Sequence, residues 1–132
     1  MEITVRFIGG RKVQAEFENF KVISDQPLSE GGENSAPGPL KLFYASIANC
    51  SAYYILDFCA HRNIPLDGIT LVQKVTRNKE TKRVEVIAQE IRVPKDFPEK
   101  YYQPLIRAAQ LCAVKKAIQD PPEMPVKVVP VE

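Results

Sequence analysis

The N-terminal part of the chain alternates between apolar and polar positions. Residues 2–8 follow this two-residue period, and residues 13–17 and 21–24 repeat it. An alternating pattern of this length is typical of β-strands with one packed face. Gly9 and Gly10 favour a turn between the first two segments. We therefore predict an N-terminal meander of three antiparallel strands with short turns.

A longer pattern with helical spacing follows a loop rich in glycine and proline, residues 25–39. Pro39, the last residue of this loop, suits the first turn of a helix because its missing amide donor is not needed there. Asn63 and Pro65 mark the end of the helix. The pattern predicts a long, largely buried central helix. The positions that follow its spacing are Leu40, Phe43, Tyr44, Ile47, Ser51, Tyr54, Ile55 and Phe58.

A β-hairpin is predicted after the central helix. Residues 69–77 and 83–93 are rich in β-branched side chains, and residues 78–82 between them are polar. Within the second strand, the apolar residues change from even-numbered to odd-numbered positions, which lie on opposite faces of a regular strand. A β-bulge near residues 88–90 would bring them to the same face.

The C-terminal part predicts a second helix and a final strand. Pro104 prevents one uninterrupted helix, so we place the helix over residues 105–118. Its packed face carries small or apolar residues, namely Leu105, Ala108, Ala109 and Cys112. The prolines after residue 120 end the helix, and residues 126–129 then predict a short final strand.

Composition narrows the class of protein. The 132 residues are 45% hydrophobic and 26% charged, so we expect a single domain over residues 1–132. The net charge of +2 is small and evenly spread, which argues against a nucleic-acid or membrane partner. The N-terminal residues lack the features of a secretory signal, and we expect a cytoplasmic protein.

Three cysteines and one histidine limit the possible thiol chemistry. With no CxxC pair, the sequence indicates neither a disulfide framework nor a zinc site. Cys50 and Cys59 would lie about 180° apart on one helix and cannot pair with each other. Cys50 lies on the packed face of the central helix, so it and Cys112 can meet across two core helices. For Cys59 we expect a packing role, as is usual for a buried cysteine.

Two segments of the chain resemble a known family. The first is a loop that contains Gly31-Gly32 and ends in Pro-Gly-Pro, followed by the helix that carries Cys50. The second is the Ala-Ala-Gln-Leu-Cys segment that ends at Cys112, after the β-hairpin. Together these motifs are similar to those of the OsmC/Ohr family. The order of elements also fits that family over nearly the full length.

The resemblance implies an α+β, OsmC-like fold in an intertwined homodimer, with a thiol peroxidase site at the subunit interface. Cys50 would attack a hydroperoxide, and Cys112 would resolve the sulfenic acid into a disulfide. An external dithiol would reduce that disulfide, and no metal, flavin or haem would be needed. The turn ending at Arg11 resembles the Gly-Gly-Arg turn of the Ohr branch, which implies that Arg11 favours the thiolate. The alternative for Arg11 is an ordinary exposed turn residue.

One position departs from the family pattern. Members usually carry a glutamate nine or ten residues before the first cysteine, where this chain has Lys41 and Leu40. Glu30 and Glu33 in the preceding loop are candidates to replace it. The leading hypothesis is a hydroperoxide reductase in oxidative stress defence. The alternatives are a non-catalytic dimer of the same fold that binds a ligand or acts in stress, and a structural dimer with inert thiols.

Two further groups of side chains have open interpretations. Lys115 and Lys116 follow Cys112 on the same predicted helix, where either can favour a thiolate at Cys112 or be a solvated lysine. The aromatic residues of the central helix pack in the core or a dimer interface, or line an apolar pocket suited to organic peroxides. These aromatic residues are Tyr44, Tyr53, Tyr54 and Phe58.

Overall fold

A computed structural model describes all residues, 1–132, and its contacts divide them into two units, residues 1–46 and 47–132. That residues 1–132 form a single domain stays a prediction. Short 3-10 turns lie at Leu28–Glu30 and Glu99–Tyr101. The strands and helices are β1 (Thr4–Phe7), β2 (Val13–Phe17), β3 (Phe20–Ser24), α1 (Pro39–His61), β4 (Thr70–Arg77), β5 (Val84–Arg92), α2 (Tyr102–Ala109) and α3 (Ala113–Gln119).

The first unit contains the predicted meander. Its strands form an antiparallel sheet in the order β1-β2-β3, with Ala15 of β2 opposite Val5 on one side and Val22 on the other. The predicted turn is also present, because Gly9 and Gly10 both have positive φ angles, +111° and +55°. Such angles favour glycine, which has no Cβ to clash with the backbone.

A buried carboxylate organises the loop that follows β3. Asp25 is only 1% exposed and accepts hydrogen bonds from the backbone amides of Gln26, Glu33 and Ser35 and from the Ser35 hydroxyl. Burial opposes the charged form of this carboxylate, but its hydrogen bonds favour it more strongly. The bonds from the Ser35 hydroxyl and amide, together with those from the other amides, lower the pKa of Asp25 to about 2. At Gly32 the chain passes so close to the Gln26 carbonyl that a Cβ would overlap it. The loop is therefore ordered by its own polar contacts.

Asp25 makes loop stability depend on pH. The pKa of Asp25 in the folded state, about 2, lies below the ordinary value of 3.8. Its contribution to the free energy of unfolding is therefore complete above about pH 4 and is lost as the pH falls through about 2. We expect Asp25→Asn to lower the thermal midpoint at pH 7 and to remove this acid-dependent step. Glu30→Gln, at an exposed carboxylate of the same loop, is the control. Thermal melts from pH 7 to pH 2 test this, and an unchanged acid-dependent step in Asp25→Asn would contradict it.

Helix α1 has the predicted bounds but not the predicted degree of burial. It begins at Pro39, and the chain leaves it through Asn63, which has a positive φ of +54° while Ile64 N donates to Cys59 O at 2.9 Å. Only one side of α1 is buried in this chain, since Tyr53 remains 57% exposed. The prediction of a largely buried helix is therefore wrong for the single chain. The buried residues are Ile47, Ser51, Ile55, Phe58 and Cys59.

The predicted hairpin is confirmed, but the predicted bulge lies elsewhere. β4 and β5 pair antiparallel, and Ala88 sits in regular register opposite Lys74. The register shifts instead at the end of the ladder, between Thr76 and Arg77, where Glu85 of β5 is passed over. The prediction of a bulge near residues 88–90 is wrong, because the register is regular there and shifts only beside the turn.

The region of the second helix is divided differently from the prediction. α2 begins before Pro104, which occupies its first turn, where a proline interrupts no helical hydrogen bond. The helix ends at Ala109, and α3 starts at Ala113, so the single helix over residues 105–118 is wrong. Residues 121–132 have no regular secondary structure, so the predicted final strand over residues 126–129 is also wrong for this chain.

The core of the second unit joins α1 to α2. Its buried residues are Ile55, Phe58, Cys59, Phe97, Leu105, Ala108 and Ala109. The Phe58 and Tyr101 rings meet edge to face with centroids 6.0 Å apart, an arrangement that stabilises the core beyond the effect of the buried area. The small residues predicted for one face of the second helix are thus in the core. None of the helices combines the length and the hydropathy of a membrane span.

Candidate functional site

The candidate site lies within the second unit, where α1 passes the start of α3. Cys50 is about three turns into α1 and is partly exposed. Its neighbour Ser51 is fully buried, and the Ser51 hydroxyl has no hydrogen-bond partner. Cys50 is therefore at the border between the packed and open sides of the helix.

Cys112 is held between the two C-terminal helices. It is 0% exposed and occupies the N-cap position of α3, where its Sγ accepts a hydrogen bond from Lys115 N at 3.4 Å. Its thiol donates to the Ile47 carbonyl of α1 at 3.8 Å. The prediction that Cys112 lies on a helix face is wrong, because the chain leaves the helical path from Gln110 to Cys112.

The structure brings together the two cysteines that the sequence paired. The Cys112 side chain and the backbone amides of Ala113 and Val114 all lie close to the Cys50 sulfur. The start of α3 thus places two N–H groups and the Cys112 side chain beside one sulfur atom. The N–H groups are donors, which favour a charged sulfur over a neutral one.

These contacts favour the Cys50 thiolate. Burial raises the pKa of Cys50, but the amides of Val114 and Ala113, the Cys112 side chain and the positive charge of Lys115 together outweigh it. The pKa of Cys50 therefore lies below the ordinary thiol value of 9.0. Since the thiolate is the nucleophilic form, this environment suits a reactive cysteine.

Lys115 is the charged group that faces this site from α3. Its Nζ donates to Gln89 Oε1 at 2.7 Å and to the Ala109 carbonyl at 3.5 Å. The sequence marked Lys115 as a candidate beside Cys112, whereas its charge also acts on Cys50. No pattern in the sequence predicts the hydrogen bond between Lys115 and Gln89, because Gln89 lies 26 residues away on β5. Lys116 is exposed, in agreement with a solvated lysine.

Arg11 belongs to the first unit, in the turn between β1 and β2. It is exposed, and its guanidinium lies beside Gly31 of the following loop. Its role in activating a thiol stays a prediction. Glu33, a candidate to replace the missing glutamate, pairs with Lys12 at 2.8 Å. The first turn of α1 contains no acidic residue, so Lys41 stands there without an acidic neighbour in that turn.

Cys59 has the packing role that was predicted. It is 0% exposed in the core between α1 and α2. Burial raises the pKa of its thiol, and the nearby Arg62 guanidinium only partly opposes this. A buried thiol with a raised pKa is chemically inert, in contrast to Cys50.

An open groove of about 540 Å³ runs beside Lys115, between β5 and α2. Its walls are mostly apolar, and none of the aromatic residues of α1 named above lines it. The lining residues are Ile87, Gln89, Ile91, Val93, Tyr102, Leu105, Ile106, Ala109, Gln110 and Lys115. No group of three or more His, Cys, Asp or Glu side chains is arranged to hold a metal ion.

Comparison with known folds gives several close matches to the architecture. One is a protein from Psychrobacter arcticus named for an osmotic stress and detoxification response, with a TM-score of 0.72, 22% identity and coverage of 87% of this chain and 85% of that one. A second is an organic hydroperoxide resistance protein OsmC from Legionella pneumophila, with a TM-score of 0.57, 21% identity and coverage of 90% of each chain.

A third is the organic hydroperoxide resistance protein OhrB of Bacillus subtilis, with a TM-score of 0.53, 21% identity and coverage of 91% of this chain and 90% of that one. At these identities the similarity shows a shared α+β fold. Among curated protein sequences, none matches this chain.

The family itself is shown by the sequence model described as OsmC-like protein, which matches residues 32–127. The match includes α1 with Cys50, the hairpin, and the segment around Cys112. Because it covers most of the chain and agrees with the fold, this protein belongs to the OsmC-like family.

Proposed function

We propose that this OsmC-like protein is a thiol-dependent hydroperoxide reductase with a role in stress defence. The observation that carries the proposal is the contact between Cys50 and Cys112, at a place where hydrogen-bond donors lower the pKa of Cys50. A structural pair of thiols needs no such donors. A peroxide-reducing pair needs one ionised thiol and a second thiol within reach.

In the first step, the Cys50 thiolate attacks the terminal oxygen of a hydroperoxide ROOH. The S–O bond forms as the O–O bond breaks, Cys50 is oxidised to a sulfenic acid, and the alkoxide takes a proton to leave as ROH. The amides of Ala113 and Val114 stabilise the thiolate before attack. Backbone N–H groups stabilise negative charge in the same way in the oxyanion holes of other enzymes.

In the second step, Cys112 attacks the Cys50 sulfenic acid. A disulfide forms, and the hydroxyl leaves with a proton as water. The Cys112 side chain lies close enough to Cys50 to influence its pKa, which supports Cys112 as the resolving thiol. An external dithiol then returns the disulfide to two thiols and is itself oxidised.

The assembly and the substrate class are part of the proposal. Two solved structures with this fold are named organic hydroperoxide resistance proteins, which supports an organic hydroperoxide as substrate. We propose a homodimer, consistent with the exposed apolar side chains of α1, among them Tyr53 and Leu56. Arg11 is proposed to contribute a further positive charge to the site in that assembly.

The test is to map disulfides after one equivalent of peroxide. Fully reduced protein is mixed with cumene hydroperoxide, quenched by alkylation without reductant, and analysed by peptide mass spectrometry. We expect a Cys50–Cys112 linkage to form faster than free cysteine is oxidised. Cys59→Ala should leave the linkage unchanged, since Cys59 is buried in the core with a raised pKa.

The opposite result would overturn the proposal. If Cys50 and Cys112 stay reduced, or oxidise no faster than free cysteine, the protein is not a peroxidase of this type. The family fold would then serve as a non-catalytic binding module, in line with the absence of the usual helix-start glutamate at Leu40 and Lys41.

A further inference from the structure

The Lys115 side chain is fixed by two acceptors. Its Nζ lies 2.7 Å from Gln89 Oε1 and 3.5 Å from the Ala109 carbonyl oxygen. Lys115 is half-buried. A lysine side chain loses its freedom only at an entropic cost, so two contacts to different elements define one position for the charge. The ammonium is therefore anchored between β5 and the end of α2.

Gln89 is itself held in place. Its amide Nε2 donates to Gln73 Oε1 on β4 at 2.9 Å, and the two glutamines are direct partners in the hairpin ladder. The side chain of Gln89 thus donates to one residue and accepts from another. Gln89, which accepts from Lys115 Nζ, is itself uncharged.

The neutral side chain of Gln89 has an electrostatic consequence. Gln89 orients the ammonium of Lys115 but does not neutralise it, so the full positive charge remains available to a nearby anion. The charged residues on the opposite face of the hairpin pair with each other instead, since Glu90 binds both Lys74 and Arg92.

Lys115 also belongs to the turn that contacts both reactive sulfurs. Its backbone amide donates to Cys112 Sγ, and the two residues preceding it, Ala113 and Val114, supply the amides that face Cys50. The titratable or charged groups that act on Cys50 are Cys112 and Lys115. Tyr102 is the other titratable side chain in the groove beside Lys115.

From this arrangement we propose that Lys115, held by Gln89, supplies the positive charge of the Cys50–Cys112 site in this chain. The inference rests on the proposed reactivity of Cys50 and names a positioning pair for it. In this chain Lys41 stands where the family usually has a glutamate. A positive charge supplied by Lys115 comes from the start of α3, so it does not depend on that glutamate.

The test measures the thiolate of Cys50 without any peroxide. Reduced protein is treated with iodoacetamide over a range of pH, and the alkylated fraction of the Cys50 peptide is quantified by mass spectrometry. We expect Lys115→Met to move the midpoint of the pH profile upward. The alkylation rate at pH 7 should fall by up to about tenfold, which corresponds to one pKa unit.

Four variants separate charge from structure. Gln89→Glu should act like Lys115→Met, because a carboxylate in the same place would neutralise the ammonium. Lys115→Arg should keep the wild-type midpoint, since it keeps the charge. Lys116→Met, which removes a neighbouring exposed charge, should leave the midpoint unchanged. If Lys115→Met fails to fold, the comparison of Gln89→Glu with Lys116→Met decides the question.

The two proposals fail in different ways. A midpoint that does not move in Lys115→Met and Gln89→Glu overturns the role of Lys115, even if peroxide still produces the Cys50–Cys112 disulfide. A midpoint that moves as expected supports the role of Lys115, even if peroxide produces no disulfide and the reductase proposal is lost.

Discussion

A Cys50→Ser variant is expected to consume no hydroperoxide above the rate measured without protein. A serine hydroxyl does not ionise near neutral pH, so the donors of Ala113 and Val114 would have no thiolate to stabilise. The measurement is peroxide consumption with an excess of dithiothreitol. Cys59→Ala, at the buried cysteine, is the matched control and should retain wild-type turnover.

Cys112→Ser should give a different result in the same assay. Cys50 would still reduce a first equivalent of peroxide, but its sulfenic acid would lack a partner thiol and turnover would then depend on direct attack by the added reductant. The variant should fold, because serine is among the best N-cap residues and Cys112 occupies the N-cap of α3. Equal, full activity of both serine variants would contradict the two-thiol mechanism.

Leu105→Ala is expected to cost about 2–5 kcal/mol of the free energy of unfolding. Leu105 is 2% exposed and belongs to the core between α1 and α2, so its removal leaves a cavity that the surrounding side chains cannot fill completely. This core also supports the segment that leads to Cys112. Loss of packing there should therefore reduce the order of the site as well as the stability.

Ile106→Ala is the control for that prediction. Ile106 is the next residue of α2 and is 41% exposed, so its truncation should cost about 1 kcal/mol or less. Urea denaturation followed by circular dichroism, at one fixed protein concentration, measures both variants. Equal costs for the two substitutions would show that Leu105 is not the better packed residue.

The elements from β1 to the hairpin follow closely from local sequence signals. Pro39 and Asn63 bound α1 as predicted, since a proline suits a first turn and an asparagine tolerates a positive φ. Gly9 and Gly10 form the predicted turn for a similar reason. The hairpin strands also lie where their β-branched residues indicated.

The errors arose where packing overrides local preference. The end of α2 at Ala109 and the new start at Ala113 are not marked by glycine or proline, so a continuous helix was predicted. The bulge lies beside the hairpin turn, at Glu85, because a register is set by the partner strand as well as by the parity of apolar residues. The valines of residues 126–129 have strand propensity, but in this chain no strand pairs with them.

The sequence by itself determined the order of elements up to the hairpin, the resemblance to the family, and the two cysteines to compare, because periodicity, turn residues and motifs are local properties of the chain. Only the tertiary structure decided that Cys112 caps α3, that backbone amides face Cys50, and that Lys115 is tied to Gln89. Those features depend on the path of the backbone between residues far apart in sequence. The sequence shows which side chains are charged. The fold of the backbone decides which atoms those charges act on.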